Sequence, residues 1–323
     1  MLKTRMTELL GIEHPVQCGS MQWLSRAELV AAVANAGGFA CLVAATMGSP
    51  EALAEEILKT KDLTDRPFGV NVSLFPTLTA QDIAALIQVV IDHGVKIIET
   101  AGRNPEPYRP QIKDGGLIHV HKCARVRDAA KTSRMGLDAV AVVGTEAGGH
   151  PGMGGVTSMV LIPKAADAVD VPLIAGGGIC DGRSLAAALA LGADGVVMGT
   201  RFMNTRECLL HPEVKARLEK AAEMETVMVM ESIQNPGRVL RNAWAEKVLG
   251  MEREGRPLEE LAPLISGQNS LKALTQGVVE EGLIYCGQVV GRVEDTPSVA
   301  ELMDRIVSEA AEVKARLDGM YRS

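Results

Sequence analysis

His150 is the residue whose setting points most directly to chemistry. It stands in Gly148-Gly149-His150-Pro151-Gly152, where glycine lets the backbone bend sharply and carry an imidazole up to a ligand. An imidazole so placed can donate to a substrate oxygen or exchange a proton with it. Two further turns, Ala175-Gly176-Gly177-Gly178 and Met198-Gly199-Thr200-Arg201, lack side chains that would keep backbone N–H groups away from an anion. One such turn is an ordinary tight turn; two, after consecutive apolar runs, read as a phosphate cradle, to which a following helix N-terminus adds its dipole. Lys122 ends another apolar run and has two readings: a positive charge beside a bound ring, or an exposed strand-end lysine. Asn71, in GVNVS, either presents its amide to a ligand or serves a turn. His119 and His121 flank Val120 on one strand face and read as structural.

These residues need elements that bring them to one place. Short apolar runs alternate with amphipathic stretches, the pattern of parallel strands joined by helices. The strands are expected at 15–20, 39–44, 68–74, 96–101, 117–122, 139–143, 172–175 and 195–198. Ser25 with Glu28 and Ser298 with Glu301 have capping-box spacing, Ser49-Pro50 reads as a cap and first turn, and Thr79 stands three residues before Asp82. Eight strand–helix units, several apolar on both faces, point to an α/β fold, a closed (β/α)8 TIM barrel. The first turn, CGSMQW, is not the G-x-G-x-x-G of an open dinucleotide-binding sheet. In a barrel the reactive groups gather in the loops after the strands, with phosphate after strands seven and eight. The expected organisation is a barrel over 1–211, a C-terminal helical addition over 212–285 near the active mouth, and a return segment with a final helix over 286–323 packing on the barrel.

Composition narrows the function classes. Aromatic residues make up 3% of the chain, so the core must be aliphatic, and the net charge of −7 argues against nucleic acid. The start, MLKTRMTELLGIEHP, lacks the apolar core of a signal peptide, and no run is long enough to span a membrane. A cytoplasmic protein with no membrane partner is expected; a homodimer is left open. The six cysteines are scattered and read as reduced thiols, without the clustering a metal site needs.

Taken together, HPVQCGSMQW, RPFGVNVS, HKCARVRDAAKTSRMGLDAV, EAGGHPG, PLIAGGGICDGRSLAAALALGADGVVMGTRF and GLIYCGQVVG resemble the nitronate monooxygenase family, formerly the 2-nitropropane dioxygenases. Flavin-dependent enoyl-ACP reductases and NADH:quinone reductases are among its relatives. The resemblance implies FMN, with its phosphate on Gly177, Gly178, Gly199 and Thr200, flanked by Gly176 and Met198. Asn71 and Lys122 would lie near the isoalloxazine, Gly148 and Gly149 beside it, and Gln288 at its edge. His150 would stand over it as the substrate-binding or acid/base residue. Gly19, Ser20 and Met21 complete the implied cofactor set. The chain departs from the family here: Cys18 stands at a glutamine position and Ser20 at a glycine position.

The activity implied first is FMN-dependent oxidation of alkyl nitronates with O2. A nitronate is already a carbanion equivalent and needs no prior C–H deprotonation. The alternative is NAD(P)H oxidation with a quinone or an enoyl thioester as acceptor on the same flavin. A barrel that binds a phosphate ligand without redox chemistry is the reading from another class. The pocket shape that separates substrates would be set by residues 74–80, 103–108 and the addition.

Overall fold

The computed structural model describes residues 2–75 and 81–320. Eight short parallel strands form one sheet: β1 (Val16–Cys18), β2 (Cys41–Val43), β3 (Gly69–Ser73), β4 (Ile97–Ala101), β5 (Ile118–Cys123), β6 (Ala139–Val143), β7 (Leu173–Gly176) and β8 (Gly195–Met198). Their order is β1-β8-β7-β6-β5-β4-β3-β2, and a parallel bridge from Gln17 to Phe39 joins the two ends into a barrel. Each strand lies inside its expected range, give or take a residue, because apolar runs covered by helices are hard to mistake.

Side-chain alternation sorts the strands into a lumen and an outer core. Phe39, Cys41, Ile97, Val120, Ala139, Ala141 and Ile174 pack inside the barrel. Val70, Ile98, Val140, Leu173 and Val196 face the surrounding helices. A helix the sequence reading did not anticipate, Arg5–Leu10, pushes Met6 and Leu10 into the lumen cluster. It is six residues long, too short for a periodic signal, although Thr4 and Thr7 form a capping box at its start. These side chains plug the floor at the amino ends of the strands.

The expected caps divide. Ser49 accepts from the Ala52 amide with Pro50 in the first turn, and Ser298 forms its capping box with Glu301. Asp82 caps its own helix by accepting from the Ala85 amide at 3.0 Å, and Thr79 lies outside the described residues. Ser25 does not cap. Its hydroxyl donates to the Gly19 carbonyl at 3.2 Å and accepts from the Met21 amide at 2.9 Å. The helix Ala27–Asn35 is served instead by buried Glu56, which accepts from the Ala27 amide at 2.8 Å and forms two bonds with Arg26. A long-range carboxylate thus displaces the local serine, and the freed serine pins the loop after β1.

Segment 212–285 holds helices Pro212–Glu219, Ala243–Arg253, Leu258–Ile265 and Gly267–Gln276. Against a mostly helical reading, it also contains an antiparallel hairpin, β9 (Thr226–Val229) and β10 (Gly237–Leu240). Four-residue strands carry too little alternation to stand out beside longer helices. Val227, Val229, Val239, Val248, Leu261 and Leu264 give this segment a cluster of its own. The final helix, Val299–Asp318, lies against the helix Gly182–Ala190, and a Cβ on Gly182 would meet the Ile306 carbonyl at 2.3 Å.

His119 and His121 are structural in their contacts. Both rings meet the Thr100 hydroxyl, each at 2.7 Å, on the outer side of β4 and β5. Burial lowers His119 to about 3 and His121 to about 4. Each binds a proton in the unfolded chain below about pH 6.5 that the native state refuses until much lower pH. Their neutral burial therefore costs nothing above pH 6.5, and stability falls as pH drops from there toward 3–4, by about 1.4 kcal/mol per pH unit for each. Urea unfolding between pH 7 and pH 5 should show a combined loss on the order of 3–4 kcal/mol. A pH-independent midpoint over that range would contradict it.

Candidate active site

β1 and β8 are neighbours, with Cys18 opposite Met198. Their extensions stay joined, since the Gly19 amide donates to the Met198 carbonyl at 2.9 Å. A Cβ on Gly19 would lie 3.3 Å from the Gly199 Cα, so glycine lets the two loops close on each other. Met198 brings only that carbonyl, because its side chain is buried in the outer core. Met21 is half-buried, its sulfur 4.0 Å from where a Cβ on Gly199 would sit.

After β7, Gly177 and Gly178 take φ of +91° and +71°, a region that favours glycine. Among the described residues, the backbone N–H groups of Gly178, Ile179, Gly199 and Thr200 donate to no protein acceptor. Free amides on two adjoining turns are what a phosphate requires, so the residues present fit one phosphate group. The short helix Thr200–Met203 starts without a side-chain cap. The helix after β7 does not share this openness. Asp181 accepts from the Ser184 amide at 2.9 Å, and the Gly182 amide donates to Glu309 at 2.9 Å. Of the two helices that follow these turns, the short one alone starts without a side-chain cap. Glu146 marks the other boundary of the cradle. Its carboxylate lies 3.7 Å from the Cβ position of Gly178 and accepts from the Ser158 amide at 2.9 Å. A phosphate would seat on the Gly199 side, away from that charge.

The loop after β6 is held by the chain's later segments. The Gly149 amide donates to the Arg238 carbonyl at 3.1 Å, and the Arg238 amide donates back at 2.7 Å. The Arg238 guanidinium also donates to the Thr145 carbonyl at 3.0 Å and the Thr226 hydroxyl at 3.1 Å. Gly148 crosses the return segment closely, since a Cβ there would lie 2.6 Å from the Cys286 carbonyl carbon. The Gln288 amide donates to the Glu146 carbonyl at 2.9 Å, and the Gly287 amide donates to the Thr200 hydroxyl at 2.8 Å. The return segment therefore ties the loops after β6 and β8 together. Gln288 enters this tie through its backbone.

His150 stands between two aromatic rings, Tyr285 at 5.6 Å and Phe75 at 6.1 Å between centroids. It remains exposed through the open mouth, while the packed atoms around it, and then the neighbouring Lys122 ammonium, lower its imidazole to about 4. The exposed edge moderates that shift, but the direction leaves a neutral ring at physiological pH. Such a ring donates a hydrogen bond without carrying charge. Burial pushes the Tyr285 hydroxyl up to about 12, so it stays a protonated donor.

Below the mouth lies a group the sequence reading missed. Buried Glu99, on β4, accepts from Gln17 Nε2 at 2.7 Å, the Ser20 hydroxyl at 2.7 Å and Asn71 Nδ2 at 2.6 Å. Asn71 and Ser20, expected on separate strands, thus meet on one carboxylate. Lys122 shares the inward face of β5 with Val120, and its ammonium and Glu99 act on the Cys41 thiol with opposite sign. Cys18 takes no part, because its side chain is buried in the outer core, whereas Gln17 points inward. All six cysteines are free and buried. Of the loop 74–80, only Leu74 and Phe75 lie within the described residues. Among the described residues there is no cluster of side chains able to hold a metal ion, and no helix long and apolar enough to cross a membrane.

Residues 3–309 match a family model described as nitronate monooxygenase. The chain is 35% identical to (3aS,4S,5R,7aS)-5-hydroxy-7a-methyl-1-oxo-octahydro-1H-indene-4-carboxyl-CoA dehydrogenase of Rhodococcus jostii, covering 96% of each protein. It is 28% identical to a probable nitronate monooxygenase of Staphylococcus saprophyticus, over 98% of this chain and 99% of that protein. Among solved structures it resembles FabK from Thermotoga maritima, with a TM-score of 0.91, 34% identity, and coverage of 99% of this chain and 100% of that one.

Proposed function

The chain belongs to the nitronate monooxygenase family, and on that premise we propose an FMN-dependent oxidoreductase whose substrate carries, or develops, negative charge on oxygen. The observation that carries this reading is the neutral His150 held between Phe75 and Tyr285, on the mouth that Lys122 faces. Bound in the mouth, the flavin would supply reversible two-electron storage and reoxidation by O2. A phosphate-sized cradle of free amides on the turns at Gly178 and Gly199 supports FMN. His150 would donate to the substrate oxygen, Lys122 would add a positive field, and the two aromatic rings would exclude water.

An alkyl nitronate meets these demands and is the substrate proposed first. A second reading is favoured by the relative at 35% identity, whose name states a CoA thioester substrate. The enolate of a thioester also places its charge on oxygen, so the same histidine would serve it. NAD(P)H would then be the hydride donor and an enoyl thioester the acceptor, or a quinone, whose oxygen also gains negative charge on reduction.

One set of measurements tests the reading. The purified protein should be yellow and release FMN on denaturation, as chromatography of the released flavin will show. Under anaerobic mixing, a nitronate should bleach the flavin; under the second reading NADH or NADPH bleaches it, and an enoyl thioester restores the colour. Colourless protein, or FAD, would overturn the cofactor. A flavin that none of these donors reduces would overturn the activity.

A further inference from the structure

The carboxylate of Glu99 is unusual in its place. It sits 1% exposed inside a barrel whose other inward side chains at that depth are apolar or amide, and three donors converge on it. Two of them, Asn71 and Ser20, are residues of the proposed flavin site, so Glu99 lies one side chain below whatever the mouth binds. Because Asn71 gives one N–H to Glu99, its amide is held in one orientation, with its carbonyl oxygen and its second N–H left for a ligand. Because the Ser20 O–H is also given to Glu99, its lone pairs are what remain.

We propose that Glu99 is a positioning residue that holds Asn71 and Ser20 in one orientation beneath the flavin and, through its buried negative charge, lowers the flavin's reduction potential. This rests on the flavin reading above. Reduced flavin carries more negative charge than oxidised flavin, and a buried charge close by is poorly screened. Glu99 therefore opposes what Lys122 favours. The balance of these two inward groups sets how strongly the reduced protein gives up electrons.

The test is a reductive titration of the holoprotein against a reference dye, which reads the ratio of flavin affinities in the reduced and oxidised states. Glu99→Gln keeps the shape and removes the charge. It should shift that ratio at least ten-fold toward reduced flavin, about +30 mV for a two-electron couple, with flavin content and melting temperature near wild type. Glu99→Asp keeps the charge but withdraws it by one methylene, and should shift the ratio in the same direction by two- to five-fold. A ratio within two-fold of wild type in Glu99→Gln would overturn the inference; if that variant does not fold, an unmoved ratio in Glu99→Asp would do so. A wild-type protein without flavin would overturn both this inference and the reading beneath it, whereas an unmoved ratio in a flavin-loaded variant overturns this one alone.

Discussion

Gly199→Asp should purify folded but colourless. A Cβ at Gly199 meets nothing nearer than the Met21 sulfur at 4.0 Å, and its backbone φ of −93° suits any residue. The aspartate would thus fit the fold, yet it would set a negative charge beside the free amides of Gly199 and Thr200. Two unit charges about 4 Å apart at an effective dielectric near 20 repel by about 4 kcal/mol, roughly a thousandfold in affinity. Gly199→Ala adds the carbon without the charge and should hold FMN within about ten-fold of wild type. Gly177 would be a poorer test. Its φ is positive, and a Cβ would meet both the Gly144 amide nitrogen and its carbonyl oxygen at 2.9 Å, so colour lost there would not separate a broken turn from a repelled phosphate. Flavin fluorescence after denaturation, alongside the melting temperature, decides. A Gly199→Asp protein carrying stoichiometric FMN would move the phosphate elsewhere.

His150→Ala should keep FMN, fold and colour, and lose turnover by roughly a hundred- to a thousandfold, the usual effect of removing one donor to a developing oxyanion. The half-reactions separate the substrates. With a nitronate as donor, the loss falls on flavin reduction. With NADH or NADPH as donor, reduction keeps its rate and the loss falls on transfer to the acceptor. Burial, and then the Lys122 ammonium, lower its imidazole below the ordinary histidine range, so no inflection near pH 6.5 should arise from it in the free enzyme. Binding an anion raises its pKa, so any such inflection belongs to the complex. Normal rates in both half-reactions, at normal flavin content, would return His150 to a structural part.

The barrel was legible because its signal is local. A strand covered on both sides is mostly apolar, and GVNVS, AVAVV and PLIAG declare themselves within five residues. His150 was legible for a related reason, as glycine concentrated around one imidazole has few uses. The partners that give the site its character are not local. Glu99 sits in KIIETA, and an acid in a strand with two buried faces must have donors, but Gln17, Ser20 and Asn71 come from two other strands and loops. Tyr285 could have been noticed as one of three tyrosines in an aromatic-poor chain, though nothing near it in sequence points to His150. Arg238 reaches Gly149 through its backbone, and a main-chain bridge leaves no mark in side-chain pattern. Ser25 shows the converse, a good local cap overruled by a distant carboxylate.

The bridge between Gly149 and Arg238 also bears on how such a protein can diverge. The amides proposed for the cofactor come from β7, β8 and their turns, between Gly176 and Thr200, whereas the groups that hold His150 and its neighbouring wall come from the hairpin and from Tyr285. The two jobs are written in separate stretches of the gene. Insertion, exchange or drift within 226–240 would re-aim the histidine without touching the amides proposed for the phosphate. A descendant could in this way change what the mouth admits while keeping the amides between Gly176 and Thr200.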